Sequence, residues 1–361
     1  MNEKKIQIGG QALIEGVMMR GPEHIAGAVH RQDGTVEVWK KEFKTVTKDH
    51  PIYKKPIIRG FVSLIEMLKI GIQTLNFSAR RYELDFPEQS SNENKQETET
   101  TELSKEKSQF KKKIEEVGTI IFAMALAFAL FAFLPNNLSM WLANATVSAT
   151  CEHHSEITEY DISCEICQNI VKDILFNLYG GLIRIFFFVL YVYFISLLKD
   201  VRRVFEYHGA EHKAVSAYEN KEELTIENVK KYTTIHQRCG TSFMFLVLLI
   251  SIIIGTILDT IVAILWTPQP WIVRTLYQLP FLPLVSGIGY EIIKLSDKNS
   301  KNIFVKLFTT PGMALQKITT KEPDVAQITI AIIALKAALN EDLGEYDYID
   351  YVTYPEPQEV K

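Results

Sequence analysis

Four apolar blocks of membrane-spanning length alternate with polar, charged segments along this 361-residue chain. Residues 117–134 (VGTIIFAMALAFALFAFL) carry no charge over 18 positions and end at Pro135. Residues 174–198 carry only Arg184, and residues 241–266 carry only Asp259. The fourth block, 271–293, is interrupted by Pro280 and Pro283 and holds Arg274 near one end and Glu291 near the other. Each reaches the roughly 20 residues that cross a hydrocarbon core of about 30 Å. The pattern predicts four transmembrane helices.

Residues 56–81 (PIIRGFVSLIEMLKIGIQTLNFSARR) imitate a fifth span. Arg59, Glu66 and Lys69 would together cost about 8–10 kcal/mol at that depth, at about 3 kcal/mol each. Ile58, Phe61, Val62, Ile65, Leu68 and Ile72 instead share one helical stripe, which predicts an amphipathic helix lying at the interface or against the spans.

The remaining segments are polar. Around Gln32-Asp33-Gly34, short β-like runs (GAVH, TVEVW) flank an Asp-Gly turn and predict a hairpin within residues 1–55. Residues 82–113 are acidic and low in complexity, with too little apolar surface to offset their ordering entropy, and read as a disordered tether. The four spans occupy 114–295, with a charged loop at 199–240. In the last segment, 296–361, Val325, Ile328, Ile332, Leu335 and Leu339 recur at helical spacing after Pro323-Asp324, which predicts a cytoplasmic amphipathic helix.

Charge orients this plan. Lys105, Lys107 and Lys111–Lys113 precede the first span, the 135–173 connection has one Lys against six acids, and 199–240 has eight Lys and Arg. Lysines reappear after the fourth span. The excess of basic residues marks the cytoplasmic side, so both termini and the 199–240 loop face the cytoplasm. A net charge of −4 gives no footprint for nucleic acid. The first fifteen residues lack an apolar h-region, so no secretory signal peptide is expected.

The candidate chemistry lies in the 199–240 loop. His208 and His212 are i and i+4, with Glu211 between them, so a helix turns both imidazoles to one side. This is the inverted form of the zinc-peptidase helix, in which two His hold the ion and the Glu acts as base. His236-Gln237-Arg238-Cys239 stands directly before the third span and returns to the same membrane face, where His236 or Cys239 could supply a third ligand, with Glu219 a further candidate. Such a donor set suits Zn²⁺ best and also admits Fe²⁺ or Mn²⁺. With Glu211 as base, the chemistry would be amide or ester hydrolysis, for which a protein or peptide is one compatible substrate. With Glu211 as a ligand, the site would be closed and structural. The plainer alternatives are a solvated juxtamembrane helix and a Cys239 that merely fills apolar space.

Two further marks stand apart. Gly9–Pro22 (GGQALIEGVMMRGP) fits neither a phosphate loop nor a dinucleotide fingerprint; Glu15 with Arg20 lines a polar site, or the segment is a tight turn packed under the spans. Cys151, Cys164 and Cys167, with His153 and His154, lie in the 135–173 connection, where disulfides or free thiols are favoured over a second metal site.

The motifs GGQALIEGVMMRGP, RRVFEYHGAEHKAVSAYE, HQRCGTSF, LPLVSGIGYEIIKL and TTPGMALQKITTKEPDVAQITIAIIALKAAL make the chain similar to the YqhQ-like family of bacterial membrane proteins. The function of that family is unknown, and its members are often described as predicted metal-dependent enzymes. The resemblance implies a bacterial inner-membrane location and carries His208, Glu211, His212, His236 and Cys239 as motif residues. Gln237 stands where the family pattern has a proline, and the cysteines of the 135–173 connection are an addition to that pattern. The expectation is therefore an α-helical polytopic membrane protein with about four transmembrane helices, a small β-containing N-terminal segment and cytoplasmic amphipathic helices. It sits in the lipid bilayer and acts as a metal-dependent, hydrolase-like enzyme, or else as a scaffold, assembly factor or transport component with a structural or sensing metal site.

Overall fold

The computed structural model describes residues 8–48, 51–86, 118–119, 121–152, 162–265, 270–298, 302–343 and 349–352. The tether expected at 82–113 lies outside these from residue 87 on, as do His153, His154 and the side chains of Cys151, Cys164 and Cys167. Five strands, β1 (Gly9–Leu13), β2 (Gly16–Arg20), β3 (His24–His30), β4 (Val36–Glu42) and β5 (Ile349–Tyr351), form one sheet in that order. The helices are α1 (Ile58–Asp85), α2 (Leu134–Glu152), α3 (Ile162–Ile195), α4 (Lys199–Glu219), α5 (Ile226–Lys230), α6 (Gly240–Leu265), α7 (Trp271–Gln278), α8 (Leu282–Lys298), α9 (Ile303–Thr319) and α10 (Val325–Leu339). The chain divides into two compact units: Met1–Ser90, Val192–Val247 and Pro283–Lys361 form one, and Ser91–Tyr191 with Leu248–Leu282 form the other.

In the first unit, β1 to β4 are a continuous antiparallel meander and β5 joins β4 in parallel. The Asp33-Gly34 turn joins β3 to β4: Gly34 takes φ 87°, and the Asp33 carboxylate accepts from the Thr35 amide (2.9 Å) and hydroxyl (2.6 Å). The sheet is buried on both faces. Val17, Met19, Ala26, Ala28, Val36 and Val38 pack with Tyr207 and Ala214 of α4 and Ile328, Ile332 and Leu335 of α10. Met18, Ile25, Val29 and Trp39 alternate onto the other face, against Ile70, Met67 and Phe77 of α1. The result is a helix–sheet–helix sandwich.

One helix departs from the amphipathic reading. α10 begins with a reciprocal Asp324–Gln327 capping box and ends on Asn340 in the left-handed region. Between these, Ile328 and Ile330–Leu335 are all buried, so α10 is a central core helix rather than an amphipathic one. A helix apolar all round is stable only when enclosed. α1 runs to Asp85, beyond the stretch expected at 56–81, and the residues it buries are Gly60, Ile70, Gly71, Thr74 and Ser78. Its apolar stripe points away from the sheet.

Among the described residues, three helical stretches are long and apolar enough to cross a bilayer: Ile121–Ser148, Ile170–Ile195 and Gly240–Val262. The first contains a π-helical turn at Ala129–Phe133. Where the sequence predicts a fourth span, the chain forms the eight-residue α7, a 3-10 turn at Leu279–Phe281 and then α8. Pro280 and Pro283 explain the interruption, since each removes a backbone donor from the helical ladder.

The second unit has a polar interior. Arg274 donates to Asp173 (2.6 Å) and Asp259 (3.1 Å), and Asp259 also accepts from Asn177 (2.9 Å), Gln278 (2.9 Å) and the Tyr277 hydroxyl. Arg184 donates to Asn136 Oδ1 at 2.6 Å. Gly181 lies against Ile252, where a Cβ would collide with the isoleucine side chain, so the glycine lets α3 and α6 approach closely.

Candidate metal centre

α4 builds most of the site. Its helical repeat sets the His208 and His212 rings 4.4 Å apart, and Gly209 between them allows the backbone after α9 to close in. A Cβ on Gly209 would strike the Lys321 carbonyl. That close approach brings the Thr319 carbonyl to 2.9 Å from His208 Nδ1, while the Thr234 carbonyl lies 2.6 Å from His212 Nδ1. A carbonyl only accepts, so both imidazoles carry their proton on Nδ1 and present the Nε2 lone pair.

Cys239 meets those lone pairs. It caps the N-terminus of α6, its carbonyl accepting from the Phe243 amide, and its Sγ lies 3.3 Å from His208 Nε2 and 2.9 Å from the Thr241 hydroxyl. The ligand atoms of His208, His212 and Cys239 all fall within 4.8 Å of one another. Tetrahedral zinc with bonds of about 2.0–2.3 Å separates its ligand atoms by about 3.3–3.8 Å, so a small contraction would close the set on an ion. The carbonyl on each outer nitrogen is the support that metal-ligating histidines ordinarily have. The three residues fit a divalent ion.

Burial governs the electrostatics. Desolvation holds His212 below the ordinary imidazole value and so keeps it neutral. Burial pushes the Cys239 thiol up, but hydrogen bonding and charge from His212, with the Thr241 hydroxyl, outweigh it and leave the thiol lowered. Desolvation raises the fully enclosed Glu211 carboxyl, opposed by His208, His236 and the Gly10 amide. Glu211 Oε2 lies 3.6 Å from His212 Nε2, at the edge of the three-ligand set and outside it.

His236 is turned elsewhere. Its Nδ1 accepts from the Arg238 amide at 3.3 Å, and its Nε2 faces Glu219 Oε2 at 3.5 Å, Glu219 being paired with Arg238. Its ring centroid is 5.7 Å from that of His212. The structure thus brings together His208, His212 and Cys239, sets Glu211 beside them, and gives His236 and Glu219 to a neighbouring ion-pair cluster.

Several contributors carry no obvious mark in the sequence. Gln316, wholly buried on α9, receives the His236 amide and donates to the His236 carbonyl (both 2.8 Å) and to Ser242 (2.7 Å), fixing the loop that delivers Cys239. The N-terminal glycine-rich motif also has its place here: Gly10 on β1 lies directly over Glu211, and a Cβ there would come within 2.6 Å of Glu211 Cγ. Glu15 and Arg20 do not share a site. Glu15 pairs with Arg203 and accepts from the Tyr207 hydroxyl, whereas Arg20 lies against Met67 Sδ (3.0 Å) and over the Phe43 ring.

Fold and site together define a mostly helical protein that has, among the described residues, three helices of membrane-crossing length, a small N-terminal sheet and a buried His/Cys cluster. The chain belongs to the family described as protein of unknown function DUF1385, whose model matches residues 55–341. It is 30% identical over 338 residues to the uncharacterized protein YqhQ of Bacillus subtilis (strain 168), an alignment covering 93% of this chain and 94% of that protein. No solved structure matches it.

Proposed function

We propose that this is a multi-pass bacterial inner-membrane protein whose sheet-containing unit is a metal-dependent hydrolase at the cytoplasmic face. The observation that carries the reading is the convergence of two Nε2 lone pairs and one thiol, each imidazole oriented by a backbone carbonyl. Three protein ligands with one position left over is the ligand count of catalytic zinc sites. A divalent ion held there, most suitably Zn²⁺, would supply Lewis-acid activation of water near neutral pH. Glu211, beside His212 and within the electrostatic reach of His208, is the group to take the proton, and Gly10 and the burial of its carboxyl set its position and basicity. The substrate class is an amide or ester.

Topology supports the location. β1 to β4 precede the first span, α4 lies between the second and third, α10 follows the fourth apolar block, and all share one hydrophobic core. Elements sharing a core lie on one side of a bilayer, so an even number of crossings separates each from the next. α6 supplies one crossing between α4 and α10, and the broken segment α7–α8 supplies the return. Lys and Arg enrichment in 199–240 assigns that side to the cytoplasm. A phosphatase reporter active only outside the inner membrane should be active when fused after residue 268 and silent after residues 225 and 361; activity after 361 would overturn the fourth crossing.

The burial of His212 (2%) and Cys239 (4%) favours a second reading, a closed structural or sensing metal site in a scaffold or transport component. Metal analysis by elemental mass spectrometry tests both. Near one equivalent is expected, lost in His208→Ala, His212→Ala and Cys239→Ala but kept in Glu211→Gln. A metal-free wild-type protein, purified without chelators, would sink both readings. Cobalt-substituted protein then separates them: a visible spectrum that shifts with azide marks an open position, and an unresponsive one a closed site.

A further inference from the structure

α1 presents three different faces, and each matches a different medium. Gly60, Ile70, Gly71, Thr74 and Ser78 form its buried face. Small side chains there let β1 approach: the Ser78 hydroxyl accepts from the Ile14 amide at 3.2 Å, and a Cβ on Gly71 would meet the Gln11 side chain. A second sector carries Ile65, Leu68, Ile72 and Leu75, which are 50%, 56%, 52% and 39% exposed. Lys69, Asn76 and Arg80 are exposed in a third sector that borders the apolar one. A helix on a water-bathed domain places its apolar stripe inward. α1 does so only in part: Ile70, with the partly buried Met67 and Phe77, packs on the sheet among small and hydroxyl-bearing residues, while four large aliphatic side chains point outward.

The geometry points to an in-plane membrane helix: we infer that the Ile65–Leu68–Ile72–Leu75 stripe is buried at the headgroup–acyl boundary of the bilayer that the chain itself spans. Three features of the molecule favour lipid as the occupant. Among the described residues are three helices of bilayer-crossing length. The N-terminal end of α1 is fastened to α8, at the end of the fourth apolar block, with Gly60 packed on Tyr290, Ile57 on Gly287, and Arg59 paired with Glu291. The stripe is also bordered on its water side by Lys69 and Arg80, where side chains that reach phosphate belong. α1 therefore lies along the membrane surface while its opposite face supports β1, the strand whose Gly10 covers Glu211.

Site-directed spin labelling of the full chain in phosphatidylglycerol-containing nanodiscs tests this, with Cys151, Cys164 and Cys167 replaced by serine and the buried Cys239 kept. Labels at Leu68→Cys and Ile72→Cys should be several-fold more accessible to oxygen than to a water-soluble nickel chelate. Labels at Asn76→Cys and Arg80→Cys should show the opposite preference. Nickel accessibility at 68 and 72 equal to that at 76 would place the stripe in water and overturn the inference. Low accessibility to both reagents at 68 and 72 would mean a protein surface, such as a second copy, covers the stripe, and would overturn it equally.

Discussion

The two compact units are built on opposite rules. In the sheet-containing unit the core is apolar: Val17, Ala28, Ile328 and Leu335 are fully buried, and α10 is enclosed on nearly every side. In the other unit the large apolar residues face outward, with Phe122 at 69%, Phe186 at 61% and Leu265 at 72% exposure. Its buried residues include Asn136, Ser139, Asp173, Asn177, Asp259 and Arg274. The difference is the one that the proposed membrane location predicts. Water drives apolar surface inward, whereas hydrocarbon removes that drive and leaves small-residue packing and polar pairing to hold helices together.

The largest effect should come from breaking the polar interior. Arg274→Ala leaves Asp173 and Asp259 without their shared cation, which should cost about 3–5 kcal/mol. Thermal unfolding in detergent would show it, and Arg274→Gln combined with Asp173→Asn should recover part of the loss. An Arg274→Ala protein as stable as wild type would mean the network is not a structural centre.

Next is a paired truncation. Ile332→Ala in α10 should cost about 2–5 kcal/mol. Leu182→Ala, more than half exposed on α3, should fall within about 0.5 kcal/mol, as surface changes usually do. Comparable losses at the two positions would collapse the contrast between the units.

Gly10→Ala probes the tie between the N-terminal motif and the site. Its Cβ would press on Glu211 Cγ, so metal affinity should fall about 10- to 100-fold, as for other changes to groups that support a metal site. Competition with a chromogenic chelator measures this, and unchanged affinity would detach Gly10 from the site.

Smaller still is a pH effect in metal-free protein, where His212 and Glu211 act in opposite directions. Burial lowers His212, so below the ordinary imidazole value the unfolded chain binds a proton that the folded site refuses, and stability falls with acid. Burial raises Glu211, so the folded state keeps its proton above the ordinary carboxylate range, and stability falls as pH rises through that window. Melting temperatures measured from about pH 4 to 8 should show both arms. Glu211→Gln should remove only the second; a curve unchanged by that variant would mean Glu211 is not enclosed as described. Smallest of all, Arg202→Ala, which opens an exposed i,i+4 pair with Glu206 at 3.3 Å, should change stability by no more than about 0.5 kcal/mol.

Apolar run length determined three of the membrane-length helices, because hydrocarbon thickness sets a minimum that composition alone can meet. The Asp-Gly turn determined the β3–β4 hairpin, since left-handed backbone there needs Gly34. The i, i+4 spacing put His208 and His212 on one side of a helix, which is a matter of helical pitch. Only the tertiary structure decided the rest. Cys239 joins the two histidines and His236 does not, because the Gln316 clamp and the Glu219–Arg238 pair turn the imidazole of His236 away. Periodicity marks the apolar stripe of α1 and the apolar residues of α10 alike, yet one stripe faces outward and the other helix lies in the core. Periodicity tells which residues share a face; what that face meets depends on the neighbours that long-range packing supplies. The glycine-rich motif at the N-terminus acquires its meaning in the same way, because the backbone of Gly10 touches Glu211 only after residues 201 positions apart in the chain have come together.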